Sequence, residues 1–68
     1  MTEQKITKYI KAEVEYLGQN VYEVSISDHD AMMASLQRTW TGFSEHEAIM
    51  NANRKLNNFG YTAVFDLP

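Results

Sequence analysis

The sequence contains no cysteine, which excludes disulfides and thiolate metal sites as the means of holding a short chain together. Its two histidines cannot build a structural metal centre alone. Proline occurs once, at Pro68, and glycine three times, at Gly18, Gly42 and Gly60. That leaves no Pro- or Gly-rich linker and no Gly-rich phosphate loop. No apolar run approaches the roughly 20 residues that span a bilayer, and the opening MTEQKITKYI lacks the apolar core of a secretory leader. The expected compartment is therefore cytoplasmic. Cations are the scarcer charge, six against nine anions, for a net charge of −3. Affinity for nucleic acid is mostly phosphate neutralisation, so this balance argues against direct nucleic-acid binding. It also argues against an anionic membrane surface.

What is present suffices for one small domain, residues 1–68. Leu, Ile, Val and Phe number 15 of 68 residues, joined by Trp40 and four tyrosines, enough to escape the disordered class. Cores of chains below about 70 residues are marginal. Association with a larger partner, or pairing of two copies, is thus an expected source of stability.

The organising stretch is FSEHEAIMNANRKLNNFG, Phe43 to Gly60. Ser44 can cap a helix, Glu47 can reach back to close a capping box, and Phe43 sits where an apolar residue packs onto the first turns. Gly60 supplies the left-handed stop. Over 45–58 the stripe is Ala48, Ile49, Ala52, Leu56 and Phe59. Four asparagines make the intrinsic propensity poor, so packing must hold this helix.

Residues 5 to 17 alternate, with Ile6, Ile10, Ala12, Val14 and Tyr16 on one side and Lys5, Thr7, Lys11, Glu13 and Glu15 on the other. Period two is the mark of a half-buried strand. Gly18-Gln19-Asn20 has turn chemistry, and Tyr22, Val24 and Ile26 resume the alternation, so the two runs read as a hairpin. Residues 28–34 read as a loop, with a strand over about 35–42 carrying Leu36 and Trp40; a second helix over this segment is the alternative. After Gly60, Tyr61, Ala63, Phe65 and Leu67 alternate in a final strand ending at Pro68. The expected fold is α+β, in the order β-β-β-α-β: an antiparallel three-stranded meander, one helix packed on one face, and a C-terminal strand joining the sheet. The helix covers Ile10, Val14, Val24, Ile26, Leu36, Trp40 and Phe65. The opposite face carries Tyr9, Lys11, Glu13, Glu15, Val21, Glu23 and Val64.

No constellation points to catalysis, and the expectation is no enzyme, no cofactor and no metal. Asp28-His29-Asp30 is a polar turn with a capping Asp, because adjacent residues rarely converge on one ion. Glu45-His46-Glu47 suits the positive end of a helix. The serines have strand or capping roles, so no nucleophile triad forms. Tyr16, Tyr22 and Trp40 fall on the core-facing parity and favour packing over base stacking. Met32 and Met33 offer an adaptable apolar contact.

Ser44 to Leu56, SEHEAIMNANRKL, resembles the helix of HicB-type antitoxin domains, and Tyr22-Glu23-Val24 with the preceding strand is similar to that family's opening hairpin. The resemblance implies a β-β-β-α-β fold and a non-enzymatic protein that masks a toxin. The family's Pro-Asp-x-Pro-Gly turn is replaced here by Ser27-Asp28-His29-Asp30. The expected function is a small protein-binding module, an inhibitor or antitoxin-like blocker that masks a surface of a larger protein or nucleoprotein complex. Glu13, Glu15, Glu23, Asp28 and Asp30 would occupy a basic groove, with Met32 and Met33 adding apolar contact. Phage-encoded inhibitors of host enzymes or defence complexes, the anti-CRISPR type included, are similar in size and charge. A further alternative is a small RNA- or DNA-binding domain using Lys5, Lys8, Lys11, Arg38, Arg54 and Lys55.

Overall fold

Alternation governs the sheet in three dimensions as it does in the sequence. The computed structural model describes residues 7–67; Lys5, Ile6 and Pro68, named above, lie outside them. Strand β1 spans Lys8–Gly18 and β2 spans Val21–Ile26. They pair antiparallel with Ala12 opposite Ile26, Val14 opposite Val24 and Tyr16 opposite Tyr22. Gln19 and Asn20 form the turn with φ of 55° and 62°, the positive values that a hairpin's twist demands.

Helix α1 spans His29–Ser35, strand β3 Thr39–Gly42, helix α2 Glu45–Leu56, and strand β4 Tyr61–Val64, with a 3-10 turn Asn57–Phe59 between the last two. The sheet order is β3-β2-β1-β4. β3 runs antiparallel to β2, and β4 parallel to β1 with Ile10 opposite Ala63. The fold is α+β with two helices on a mixed sheet.

The core lies between α2 and one sheet face. Ile10, Ala12, Val24, Ile26, Trp40 and Ala63 come from the strands, Ala48, Ala52 and Leu56 from α2, and Ala31 from α1. Alanines on α2 let its backbone approach the sheet. Gly42 marks the closest point, since a Cβ there would stand 2.5 Å from the Ala48 nitrogen.

Several expectations are corrected. Residues 28–34 form a helix rather than a loop. Asp28 caps it, accepting the Ala31 N–H at 2.9 Å, and Ala31 and Ser35 bury its inner side. The buried Ser35 hydroxyl shares its proton between the carbonyls of Ala31, at 2.8 Å, and Gln37, at 2.9 Å. The helix stops at Leu36, which takes a left-handed φ of 55°. β3 therefore starts at Thr39, not 35, and Leu36 is 84% exposed instead of buried. The last strand ends at Val64 because the chain turns at Phe65 and Asp66. α2 ends at Leu56, and Gly60, with φ 85°, closes the 3-10 turn that follows. That tightening swings Phe59 out to 47% exposure, off the core stripe. Phe43, at 72% exposure, does not pack back onto α2. The Ser44 half of the capping box forms, Glu47 N–H donating to Ser44 Oγ at 3.0 Å, while Glu47 Oε1 accepts the Phe43 N–H at 3.1 Å rather than the Ser44 N–H.

Candidate functional site

The sheet face that α2 does not cover is assembled from the odd-numbered residues of β1 and their register partners. Glu15 stands opposite Glu23, which stands opposite Thr41; one row along, Glu13, Ser25 and Thr39 align. Three carboxylates thus gather on two adjacent central strands. Like charges directly opposite one another destabilise a sheet, so the Glu15–Glu23 pair sits there at some cost to the fold. Further along β1, Lys11 and Arg38 border a shallow depression of about 290 Å³ with Glu13, Ser25 and Ser27. The face is acidic at one end and basic at the other.

The remaining predicted residues are placed differently. Asp28 is occupied by its own helix: it accepts the Ala31 N–H and lies 3.4 Å from Lys8 Nζ. The Ala31 N–H and then Lys8 hold its carboxyl below the usual value. Asp30 is exposed in the first turn of α1. Met33 is 60% exposed, whereas Met32 is half-buried against the core and also touches the rim of the depression. The carboxylates of β1 and β2 therefore come together; Asp28, Asp30 and Met33 are a separate group on α1.

Apart from Lys11 and Arg38, which share the depression, the cations are separate. Lys8 is engaged by Asp28, and Lys55 donates to Gln37 Oε1 at 3.1 Å. Arg54 lies on the exposed side of α2. Among the described residues no group of three or more His, Asp or Glu is close enough to hold a metal ion. No helix among them is long and apolar enough to cross a membrane.

An exposed strand edge able to pair two copies is expected from the sequence; the side-chain amides that engage the edges are what sequence reasoning missed. Asn53 Nδ2 donates to the Ala63 carbonyl at 3.0 Å, and Asn53 Oδ1 accepts the Ala63 N–H at 2.6 Å. A side-chain amide thereby takes the place of a neighbouring strand on the outer side of β4. On the outer side of β3, Asn51 Nδ2 donates to the Thr41 carbonyl and Gln37 Nε2 to the Thr39 carbonyl, both at 2.8 Å. β1 has an outer edge too. β4 covers only Lys8 to Lys11 of it, and a groove of about 510 Å³ beside Ala12, Val14, Glu45, Phe65 and Asp66 runs on from there. The clue available in the sequence was length: the alternation at 5–17 far exceeds that after Gly60.

Comparison of the chain with family models, curated proteins and solved structures finds no match.

Proposed function

We propose that this chain is a non-enzymatic protein-binding module that masks a surface of a larger macromolecule with its uncovered sheet face. One observation carries this: Glu13, Glu15 and Glu23 converge on that face, with Glu15 and Glu23 in direct register. A structural role does not account for the pair, since a neutral or basic residue at either position would make a better sheet. Three carboxylates on a rigid two-strand platform suit a basic surface, for which complementary potential supplies both steering and register. An inhibitor or antitoxin-like blocker, the type that the Ser44–Leu56 motif suggests, works this way by occupying a groove meant for another ligand. Only Lys11 and Arg38 share a depression, together with Glu13, while Lys8 is tied to Asp28 and Lys55 to Gln37, which weighs against a phosphate-tracking groove with clustered cations.

The test is a salt-dependent binding comparison between wild type and a Glu13→Lys, Glu15→Lys, Glu23→Lys variant. The partner is the macromolecule that wild type captures from extracts of its native host. Loss of capture with the fold intact supports the acidic face. Equal capture by both proteins rejects it.

A further inference from the structure

We infer that the outer edge of β1 from Ala12 to Tyr16 is a strand-addition site for an extended segment of a partner protein in which basic and apolar side chains alternate. The inference rests on the protein-binding role proposed above and gives it a geometry.

The ladder fixes which backbone groups are available. Lys8 N–H donates to the Gly60 carbonyl at 2.8 Å, so even-numbered residues of β1 aim their backbone away from β2 and odd-numbered ones toward it. β4 uses these groups up to Lys11, where Val64 is the last partner, and the chain then turns away at Phe65 and Asp66. Beyond that point the N–H and C=O groups of Val14 and Tyr16 have no hydrogen-bond partner among the described residues. At the other two outer edges side-chain amides are engaged: Asn53 holds both backbone groups of Ala63, and Asn51 and Gln37 hold the carbonyls of Thr41 and Thr39. A bare edge is a template for another strand, and proteins ordinarily block it. Here two edges carry side-chain amides on their backbone groups, and the β1 edge at Val14 and Tyr16 carries none among the described residues.

The flanking side chains select the occupant. A strand laid along this edge alternates its side chains between the two faces of the sheet. Those on the open face fall beside Glu13 and Glu15; those on the helix face fall beside Val14, Tyr16 and Phe65. Glu45 and Asp66 join Glu13 on the groove wall against one cation, Lys11, so the lining is net negative. A second copy of β1 fits badly. The antiparallel registers centred on Val14 and on Glu15 clear β4 and pair Val14, and each sets carboxylate against carboxylate. The register that would match Lys11 with Glu15 needs the place that Val64 fills. Those registers disfavour a second copy, and the charges that disfavour it suit a basic strand.

The experiment titrates the isotope-labelled full chain with an acetylated, amidated Lys-Val-Lys-Val-Lys peptide, with Glu-Val-Glu-Val-Glu as control. Amide exchange is measured at Val14 and Tyr16. Saturable binding of the basic peptide alone, with those two amides slowed at least about tenfold, is expected. Val14→Pro removes an outward N–H, which an edge strand tolerates, and should weaken binding at least about tenfold. A basic peptide N-methylated at alternate amides tests the same point without altering the protein, and should not bind. Absence of binding, or binding that N-methylation leaves unchanged, overturns the inference. So does binding that leaves Val14 and Tyr16 exchange unaltered while remaining sensitive to Glu13→Lys and Glu15→Lys; in that case the acidic face stands and the edge does not.

Discussion

Asn53 holds Ala63 through both groups of its side-chain amide, donating to the carbonyl and accepting the N–H. Asn51 reaches the opposite edge of the sheet, at Thr41. The two flank Ala52, which is fully buried. About 100° per residue separates helix positions, so residues one before and one after the buried stripe point to opposite flanks. One helix thereby reaches both outer sheet edges.

Asn53→Ala should lower stability by about 1–3 kcal/mol, the cost of leaving a part-buried donor and acceptor unpaired. It should also expose the β4 edge, so self-association measured by sedimentation should rise. Asn53→Asp, which can accept from Ala63 but not donate to it, should recover only part of the loss. Urea midpoints unchanged in both variants would show that the clamp contributes nothing.

Gly42→Ala is expected to cost roughly 1–3 kcal/mol by overpacking, because a Cβ would meet backbone atoms of Ala48 at 2.5 and 2.9 Å. Helix α2 would have to lift from β3. Gly18→Ala meets nothing within 4 Å and adds only the strain of its φ of 92°, about 1 kcal/mol. Thermal melts should rank the two in that order.

Acid stability should depend on Asp28. Its folded pKa lies below the ordinary 3.8, through the Ala31 N–H first and Lys8 second. A depressed carboxylate pKa contributes stability that is present above 3.8 and disappears as pH falls through the lower folded value. Asp28→Asn keeps the cap but has nothing to titrate, so its melting temperature should fall less steeply on acidification. Asp28→Ala should cost about 0.5–2 kcal/mol near neutral pH. Parallel acid limbs for wild type and Asp28→Asn would remove Asp28 from the account.

The fold was legible where one signal dominated. The period-two run at Ile10, Ala12 and Val14 and the Ser44 capping box identified the long strand and the main helix, because burial on one face and a cap are local patterns. The segment at 28–38 was not, since Asp28 suits a turn or a helix cap equally and Leu36 looks like a core residue. Its left-handed, exposed position as a helix terminator goes with a buried Ser35 whose hydroxyl bonds the Ala31 and Gln37 carbonyls on either side of it, which is tertiary information. At the site, the parity of Glu13, Glu15 and Glu23 was readable, whereas the register that sets Glu15 opposite Glu23 depends on the hairpin's irregularity between Tyr16 and Gly18. The asparagines read as poor helix formers. Their bonds to the sheet edges appear only once the strands are in place.

If Glu23 serves a partner rather than the fold, removing its charge should strengthen the fold. Glu23→Lys sets an ammonium opposite Glu15 and should stabilise the sheet by about 0.2–1 kcal/mol. A gain in stability accompanied by a loss of binding is the pattern of a residue kept for function.

The most direct measurement is therefore paired: melting temperature and capture of the partner from native-host extract, for wild type and for the variant with Glu13, Glu15 and Glu23 all changed to glutamine, which removes the Glu15–Glu23 repulsion. The account predicts that the variant melts no lower than wild type and captures nothing. Capture at wild-type levels by a folded variant would contradict it.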